Sequence, residues 1–322
     1  MTTQHPICSL SLDLDNQWSY MKTHGDAGWE TFPSYLDLVV PRALEILNRF
    51  GWKITFFIVG QDAALEKNRE TLQAIAAAGH EIGNHSFNHE PWLHLYTKEQ
   101  TADEIRRAEE AIESATGVLP RGFRGPGYTF SRATLEVLAS RGYEYDASTF
   151  PTYLGPIARA YYFHASKFST VEMQQRRTLF GDFKEGMWPV KPYRWDLGDL
   201  RLLEIPVTTT PILKLPFHFS YLLYVATYSP TLSLLYFRGA LALCHAMRVE
   251  PSLLLHPLDF LGDNDVPELA FFPAMRILST RKLDLLRRML GLMSRKHTVV
   301  SMMRRATDLS GSSALAVRLP TT

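Results

Sequence analysis

Apolar and polar positions along the first 150 residues alternate in a way that predicts strands and helices in turn. Short apolar runs predict buried strands over residues 7–14, 53–59, 80–83, 121–124 and 143–147. Between these runs, amphipathic stretches predict helices that begin near Ser34, Asp62, Thr97 and Ser131 and end at or close to glycines. Parallel sheets and barrels are built from this alternation of strands and helices. We therefore expect an α/β fold.

The pattern is less regular after residue 150. Residues 150–200 are rich in aromatic residues, Gly and Pro, and we interpret them as an insertion that either walls a pocket or forms an ordinary surface lobe. Regular patterns return with predicted strands at 202–207 and 252–255. Since the chain shows no internal repeat, we expect one domain over residues 1–310, followed by a tail at 311–322.

A long apolar segment occupies about residues 211–247. Its part from Leu215 to Phe237 has no Asp, Glu, Lys or Arg and is long enough to raise the question of a membrane span. Pro230 would interrupt a spanning helix, and the Ser and Thr hydroxyls would need partners in lipid. We interpret the segment as buried core or a lobe, with contact to a membrane surface as the alternative.

Composition narrows the class of protein without identifying it. A chain of 322 residues with 46% apolar content can bury a full core, and a net charge of +1 argues against bulk nucleic-acid binding. Cys8 and Cys244 are too few for a disulfide framework. The first residues lack the basic and apolar regions of a secretion signal and lead directly into the first strand. We expect a cytoplasmic protein, whose oligomeric state the sequence leaves open.

Carboxylate and imidazole side chains follow two of the predicted strands. Asp13 and Asp15 end the first strand, and because alternate residues of an extended chain point the same way, both can face one site. His85 and His89 follow a later strand, and a helical turn would put both rings on one side. One carboxylate and two imidazoles with an open position can hold a catalytic zinc-like ion. The remaining carboxylate could then serve as a general base.

In their order and spacing, the motifs of this chain resemble those of the polysaccharide deacetylase family (NodB homology, carbohydrate esterase family four). The resemblance extends from Asp13 to His256 and implies a distorted (β/α) barrel with metal-dependent amide or ester hydrolase activity. It also implies that Asp13 is the base, and that Asp15, His85 and His89 hold a divalent metal, with zinc as the expected ion. The sequence Asp-Leu-Asp-Asn replaces the adjacent Asp pair of many members, so we expect the loop after this strand to differ.

Further roles follow from the same resemblance. Arg124 would keep the base charged and oriented, and the Gly127 N–H would donate to the oxyanion, unless Gly125 to Gly127 is a plain turn. Asp146 would brace Arg124, or else be a solvated acid at a strand end. His256 would be the general acid. Asp259 could orient its ring, although the same sequence would also suit a capped turn.

The expected function is removal of an N-acyl group, acetyl in the first instance, from an amino sugar. The alternatives are hydrolysis of another amide or formamide, and sugar binding by a non-catalytic relative that kept the fold. A binding protein needs neither a base nor an acid, so the presence of both Asp13 and His256 favours the enzyme. The sequence leaves open whether the sugar is soluble or carried on a lipid phosphate.

Basic residues are concentrated near the C-terminus. Residues 276–305 contain nine Lys or Arg and a single acidic residue, Asp284. A helix predicted over 280–295 has one apolar side, with its basic residues mostly elsewhere: Arg281, Lys282, Arg287, Arg288 and Arg295. This helix either covers the barrel with a solvated basic face or, together with the apolar segment, contacts an anionic membrane that carries a lipid-linked sugar.

Overall fold

The computed structural model describes residues 5–155 and 183–320, where ten strands form one sheet. The strands are β1 (Ile7–Leu14), β2 (Thr55–Ile58), β3 (Glu81–Asn84), β4 (Gly122–Phe123), β5 (Tyr145–Asp146), β6 (Tyr193–Asp196), β7 (Arg201–Glu204), β8 (Ser252–Leu255), β9 (Thr298–Val300) and β10 (Val317–Arg318). Their order is β10-β6-β7-β5-β4-β3-β2-β1-β8, and β9 pairs with the start of β1. Paired strands are parallel except β6 and β7. Most of the predicted insertion at 150–200 lies outside the described residues.

Helices connect these strands and cover the sheet. In the described residues the α-helices are α1 (Gln17–His24), α2 (Leu36–Phe50), α3 (Gly60–Ala63), α4 (Arg69–Ala77), α5 (Lys98–Thr116), α6 (Arg132–Ser140), α7 (Phe219–Tyr228), α8 (Pro230–Ala246), α9 (Ser279–Ser294) and α10 (Met302–Ser310). The capping box predicted at Thr97 begins α5, and Gly117 ends this helix in the left-handed conformation.

Hydrogen bonds close the sheet into a ring without a complete strand ladder. After β7, Ile205 N donates to Asp146 O and Val207 N donates to Thr149 O, which extends the pairing beyond β5. Thr208 N then donates to Ser252 O of β8 at 2.9 Å, and Ser252 N donates to Thr208 Oγ1 at 2.8 Å. The predicted α/β class is confirmed, and the ring has the distorted form that the resemblance implies.

Strand β1 carries the first site residues because its two faces differ. Cys8, Leu10, Leu12 and Leu14 pack in the main hydrophobic core, which also contains buried residues of α2. The alternate residues, among them Asp13, point to the other face of the strand, towards the interior of the ring. The strand therefore separates an apolar core from a polar interior, and its carboxyl end places both aspartates at the rim.

The structure corrects two predicted boundaries. The helix expected from Asp62 to Ala78 is broken into α3 and α4, because Asn68 Nδ2 donates to the Asp62 backbone carbonyl at 3.0 Å and its side chain holds a turn between them. The expected tail at 311–322 contributes β10, whose Val317 and Arg318 pair with β6. Residues 317 and 318 are thus part of the sheet.

The apolar segment forms a helical pair. Pro230 begins α8, and Ser229 caps it by accepting from Leu232 N. Ser233 Oγ donates to Leu222 O at 2.6 Å and ties α8 to α7. Among the described residues, none of the helices combines the length and apolarity that crossing a bilayer would need.

Candidate active site

Asp13 forms a buried ion pair with Arg124. The Nη1 of Arg124 donates to Asp13 Oδ1 at 2.5 Å and to Ser11 Oγ at 2.7 Å. Its Nε donates to Ala147 O at 3.0 Å, and the guanidinium lies over the Phe57 ring. Because both charged groups are almost completely buried, the pair holds the Asp13 carboxylate in one orientation.

Asp15, His85 and His89 place three ligand atoms within 4.8 Å of one another. Asp15 Oδ1 lies 3.2 Å from His85 Nε2 and 2.9 Å from His89 Nε2. His85 Nδ1 lies 2.6 Å from Arg124 O, so this nitrogen carries the proton and donates it, which leaves the Nε2 lone pair for an ion. The sequence-predicted ligands therefore converge, and their donor set fits zinc or a similar divalent metal.

The Asp15 carboxylate is ionised in this cluster. Burial opposes its ionisation, but the charges and hydrogen bonds of His89 and His85 hold the pKa of Asp15 well below its usual value. Tyr20 Oη donates to Asp15 Oδ2 at 3.1 Å, and Tyr35 Oη donates to Asp15 O at 2.7 Å. Burial raises the pKa of both tyrosines well above 10, so they remain donors. Sequence reasoning missed both residues.

The two histidines lie on a loop, which corrects the expectation of a helical turn. Residues 85–90 have no helical hydrogen bonding, and Ser86 and His89 adopt positive φ angles of 63° and 52°. The buried carboxylate of Glu104 on α5 organises this loop. It accepts from Phe87 N at 3.0 Å and from Asn88 N and Nδ2, both at 2.6 Å. Three charge-assisted hydrogen bonds from one carboxylate thus take the place of a helical turn.

The turn after Arg124 is tight and requires glycine. A Cβ on Gly125 would lie 2.0 Å from Thr129 O, and Gly127 has a φ of 61°. Tyr128 N donates to Gly125 O at 3.0 Å. The turn expected as the plain alternative is therefore present, next to the buried Arg124, and the oxyanion role of the Gly127 N–H stays a prediction.

Asp146 reaches the Arg124 segment indirectly. Ser148 Oγ donates to Asp146 Oδ1 at 2.6 Å and accepts from Gly125 N at 2.8 Å. The expected direct brace on Arg124 comes instead from the Ala147 carbonyl, since Asp146 is turned towards Glu204 on the neighbouring strand.

Asp146 and Glu204 form a buried carboxyl pair. Burial raises the pKa of Asp146 to about 6 and, together with the charge of Asp146, raises that of Glu204 well above its usual value. Glu204 therefore holds a proton, which it shares with Asp146. Glu204 also accepts from Thr149 N at 3.0 Å and from Trp195 Nε1 at 2.9 Å. The solvated strand-end acid considered for Asp146 is excluded by its complete burial.

His256 is oriented through a serine. His256 Nδ1 lies 2.9 Å from Ser220 Oγ, which donates to Asp259 Oδ1 at 2.9 Å. A hydroxyl has one proton, and a carboxylate can only accept, so Ser220 can accept from Nδ1 of His256 in the doubly protonated imidazolium that a general acid requires. Asp259 Oδ2 also accepts from His256 N at 2.8 Å, as in a capped turn. Asp259 can therefore both orient the His256 ring, through Ser220, and cap the turn of the His-Pro-x-Asp motif.

An aromatic wall adjoins His256. The ring centroid of His218 lies 5.7 Å from that of His256, and Phe150 and Tyr221 lie 5.4 Å and 4.7 Å from His218. Burial lowers the pKa of His218 well below its usual value, so this imidazole is neutral. No sequence pattern singles out His218, because one His in an apolar segment is ordinary core.

The first half of the chain is similar in sequence to known proteins. Positions 23–145 match the family model described as polysaccharide deacetylase. The predicted resemblance to this family is confirmed. A peptidoglycan deacetylase of Helicobacter pylori is 33% identical over 109 residues, which are 34% of this chain and 36% of that protein. A chitooligosaccharide deacetylase of Bradyrhizobium sp. is 32% identical over 103 residues, or 32% of this chain and 46% of that protein.

Sequence similarity to these deacetylases thus covers about a third of the chain, and less than half of each relative. The fold similarity is wider. A crystal structure of a candidate polysaccharide deacetylase from Mycobacterium smegmatis covers 100% of this chain and 96% of its own, with a TM-score of 0.66 and 21% identity. At this identity the match shows that the two proteins share the fold.

Proposed function

We propose that this protein is a metal-dependent hydrolase that removes an N-acetyl group from an amino sugar. The main support for the proposal is that the two aspartates at the end of β1 have different partners. Asp15 lies among His85 and His89 as a candidate ligand, whereas Asp13 is ion-paired with Arg124. A ligand set beside an independent, oriented carboxylate is what hydrolysis by an activated water requires.

Each residue has a role in the proposal. Asp15, His85 and His89 would hold a divalent ion, zinc in the first instance, which polarises a carbonyl and lowers the pKa of a water when bound. Asp13 takes the proton of the attacking water, and Arg124 keeps the carboxylate in place. His256 donates a proton to the departing amine, with Nδ1 held by Ser220. The Gly127 N–H donates to the oxyanion.

An amino sugar is the proposed substrate for two reasons. The matched relatives are named as deacetylases of peptidoglycan and of chitooligosaccharide. In addition, the wall formed by Phe150, His218 and Tyr221 offers apolar faces and a neutral imidazole beside the general acid, which suits the faces and hydroxyls of a sugar ring.

We further propose that the sugar is carried on a lipid phosphate and that the protein acts in the cytoplasm, at the inner membrane face. The free, buried state of Cys8 and Cys244 is compatible with a reducing compartment. The location of the basic and apolar surface supports the lipid carrier and is described in the next subsection.

The proposal is tested by metal analysis and acetate release. Purified protein loaded with zinc should contain about one metal per chain and release acetate from N-acetylated chitooligosaccharides, and chelation should abolish the release. Formate release from N-formyl sugars, in place of acetate, would support the formamide alternative. Saturable sugar binding without any acyl release in metal-loaded protein would show a binding relative instead.

A further inference from the structure

A surface groove of about 1130 Å³ lies between α7 and α9. It is bordered on one side by the end of α7, with Tyr224 and Tyr228, and on the other by the start of α9 and the residues before it. The groove therefore has the apolar segment on one side and the basic helix on the other, although the two are about fifty residues apart in sequence.

The groove is strongly basic. Arg276, Arg281 and Arg288 line it and are exposed, and Asp284 is the one acidic residue in its lining. The other basic residues of α9 do not share this surface equally. Lys282 is fully buried, where its Nζ donates to Leu258 O at 2.8 Å and Leu261 O at 2.5 Å. The expectation that Lys282 belongs to a basic face is wrong, and the face consists of arginines.

Large apolar side chains border the arginines and face solvent. Tyr228 is 76% exposed and Leu278 is 47% exposed, and both line the groove. On α8, which starts beside the groove at Pro230, Leu232 and Leu235 are 55% and 57% exposed. They are three residues apart and therefore lie on the same side of this helix. A core-forming helix usually turns such residues inwards, whereas α8 has apolar side chains both on its buried side, with Phe237 and Leu241, and on its exposed side.

We infer that this surface docks the protein on an anionic lipid bilayer. Three arginines match phosphate headgroups in charge, and guanidinium groups bind phosphate oxygens in pairs. The exposed Tyr and Leu side chains match the boundary between headgroups and acyl chains. An acidic soluble partner would pair with the arginines but would leave the exposed leucines of α8 in water.

The docking surface adjoins the active site. Helix α7 runs from Ser220, which holds His256, to Tyr228 at the groove, a distance of about 12 Å at 1.5 Å per residue. This geometry places the general acid one short helix away from the headgroup layer. Resting on the proposed function, the inference specifies the substrate as an N-acetylated sugar joined through phosphate to a lipid in that bilayer.

Sedimentation with vesicles tests the inference. Zinc-loaded full chain should pellet with vesicles of phosphatidylglycerol and phosphatidylcholine, and not with phosphatidylcholine alone, and should be released by high salt. Each basic residue near such a surface contributes about fivefold to binding, so R281E/R288E should lower the partition coefficient by at least about 25-fold. L232S/L235S should weaken binding at high and low salt alike, since burial of leucine is not screened.

Matched controls separate a specific surface from net charge. R49E/R132E makes the same charge change at exposed arginines outside the groove and should bind vesicles as the wild type does. Equal loss in both double variants, or equal binding to neutral and anionic vesicles, would overturn the inference.

Acetate release from a soluble chitooligosaccharide is measured on the same preparations, and R281E/R288E should retain it. If the protein releases acetate but does not bind anionic vesicles, the docking proposal is refuted and the proposed function is not. Protein that binds vesicles but releases no acyl group would refute the proposed function and leave the docking surface in place.

Discussion

Replacement of Ser220 by Ala should impair proton donation by His256 while leaving the fold intact. The hydroxyl links His256 Nδ1 to Asp259 Oδ1 through two contacts of 2.9 Å. In Ser220→Ala protein, the Nδ1 proton loses its acceptor. The ring is then free to adopt the other tautomer, in which the proton lies on Nε2 instead of Nδ1. Since Ser220 lies in the first turn of α7 and Ala favours helices, α7 itself should be unaffected.

The size of the effect follows from the lost hydrogen bond. A hydrogen bond to a charged group such as the imidazolium is worth about 1.5–3 kcal/mol, so loss of the orientation that it provides should cost roughly 10- to 150-fold in rate. His256→Ala sets the upper limit, because a positioned general acid contributes about 10²- to 10⁴-fold. The loss should appear mainly in kcat, since the relay lies behind the imidazole and has no proposed contact with the sugar.

The assay compares two leaving groups. Acetate release from an N-acetyl sugar needs a proton on the amine, whereas 4-nitrophenyl acetate has a leaving group that needs none. Ser220→Ala should slow the first reaction and leave the second nearly unchanged, and Ser220→Thr should restore the first because it keeps the hydroxyl. The double variant with His256→Ala should be no slower than His256→Ala alone. Equal losses on both substrates, or additive losses in the double variant, would refute the relay.

Four other substitutions and one control variant test the site and its supports. Asp13→Asn should lower turnover by at least about 10²-fold and keep the metal, while His89→Ala should lose both; metal analysis that gives the reverse would exchange their roles. Glu104→Ala should weaken zinc binding in chelator competition by about 10- to 100-fold, because it removes the support of the ligand loop, whereas Glu113→Ala on the exposed side of α5 should not. Burial raises the pKa of Asp62 to about 7, so the folded protein keeps a proton that the unfolded chain releases above about pH 4. The contribution of Asp62 to the free energy of unfolding should therefore fall from pH 4 to 7, by up to about 4 kcal/mol, and Asp62→Asn should make the decline less steep in denaturant titrations, with Asp146 and Glu204 supplying the rest; equal slopes in both proteins would contradict it.

Local patterns predicted the elements that local chemistry determines. The strand from Ile7 to Leu14, the capping box at Thr97 and the three residues of the candidate metal site could all be predicted, since alternation, caps and ligand types are visible over a few residues. The geometry of the ligand loop could not be predicted. Its conformation depends on Glu104, which lies 17 residues from Phe87 in sequence and resembles any exposed helical acid.

The contacts of the proposed general acid, His256, could not be predicted either. Ser220 lies 36 residues from His256, in a segment whose apolar composition draws attention away from its few hydroxyls. Asp146 was predicted as a site residue, but its partner Glu204 could be found only from the pairing of β5 with β7. Contacts of this kind arise when separate strands are brought to one ring, and a single sequence does not reveal which strands become neighbours.

Two successive residues of α9, Arg281 and Lys282, have quite different surroundings. Arg281 faces the groove, whereas Lys282 is inserted beneath the turn that follows His256 and holds its carbonyl oxygens. A one-residue insertion before this pair would rotate the helix by about 100°, removing the ammonium from the turn and the guanidinium from the groove together. Among related sequences, we therefore expect the exposed arginines to vary readily and the length of the connection from residue 262 to residue 280 to stay the same. If the protein docks on a bilayer as proposed, α9 would connect the docking surface directly to the turn that follows His256.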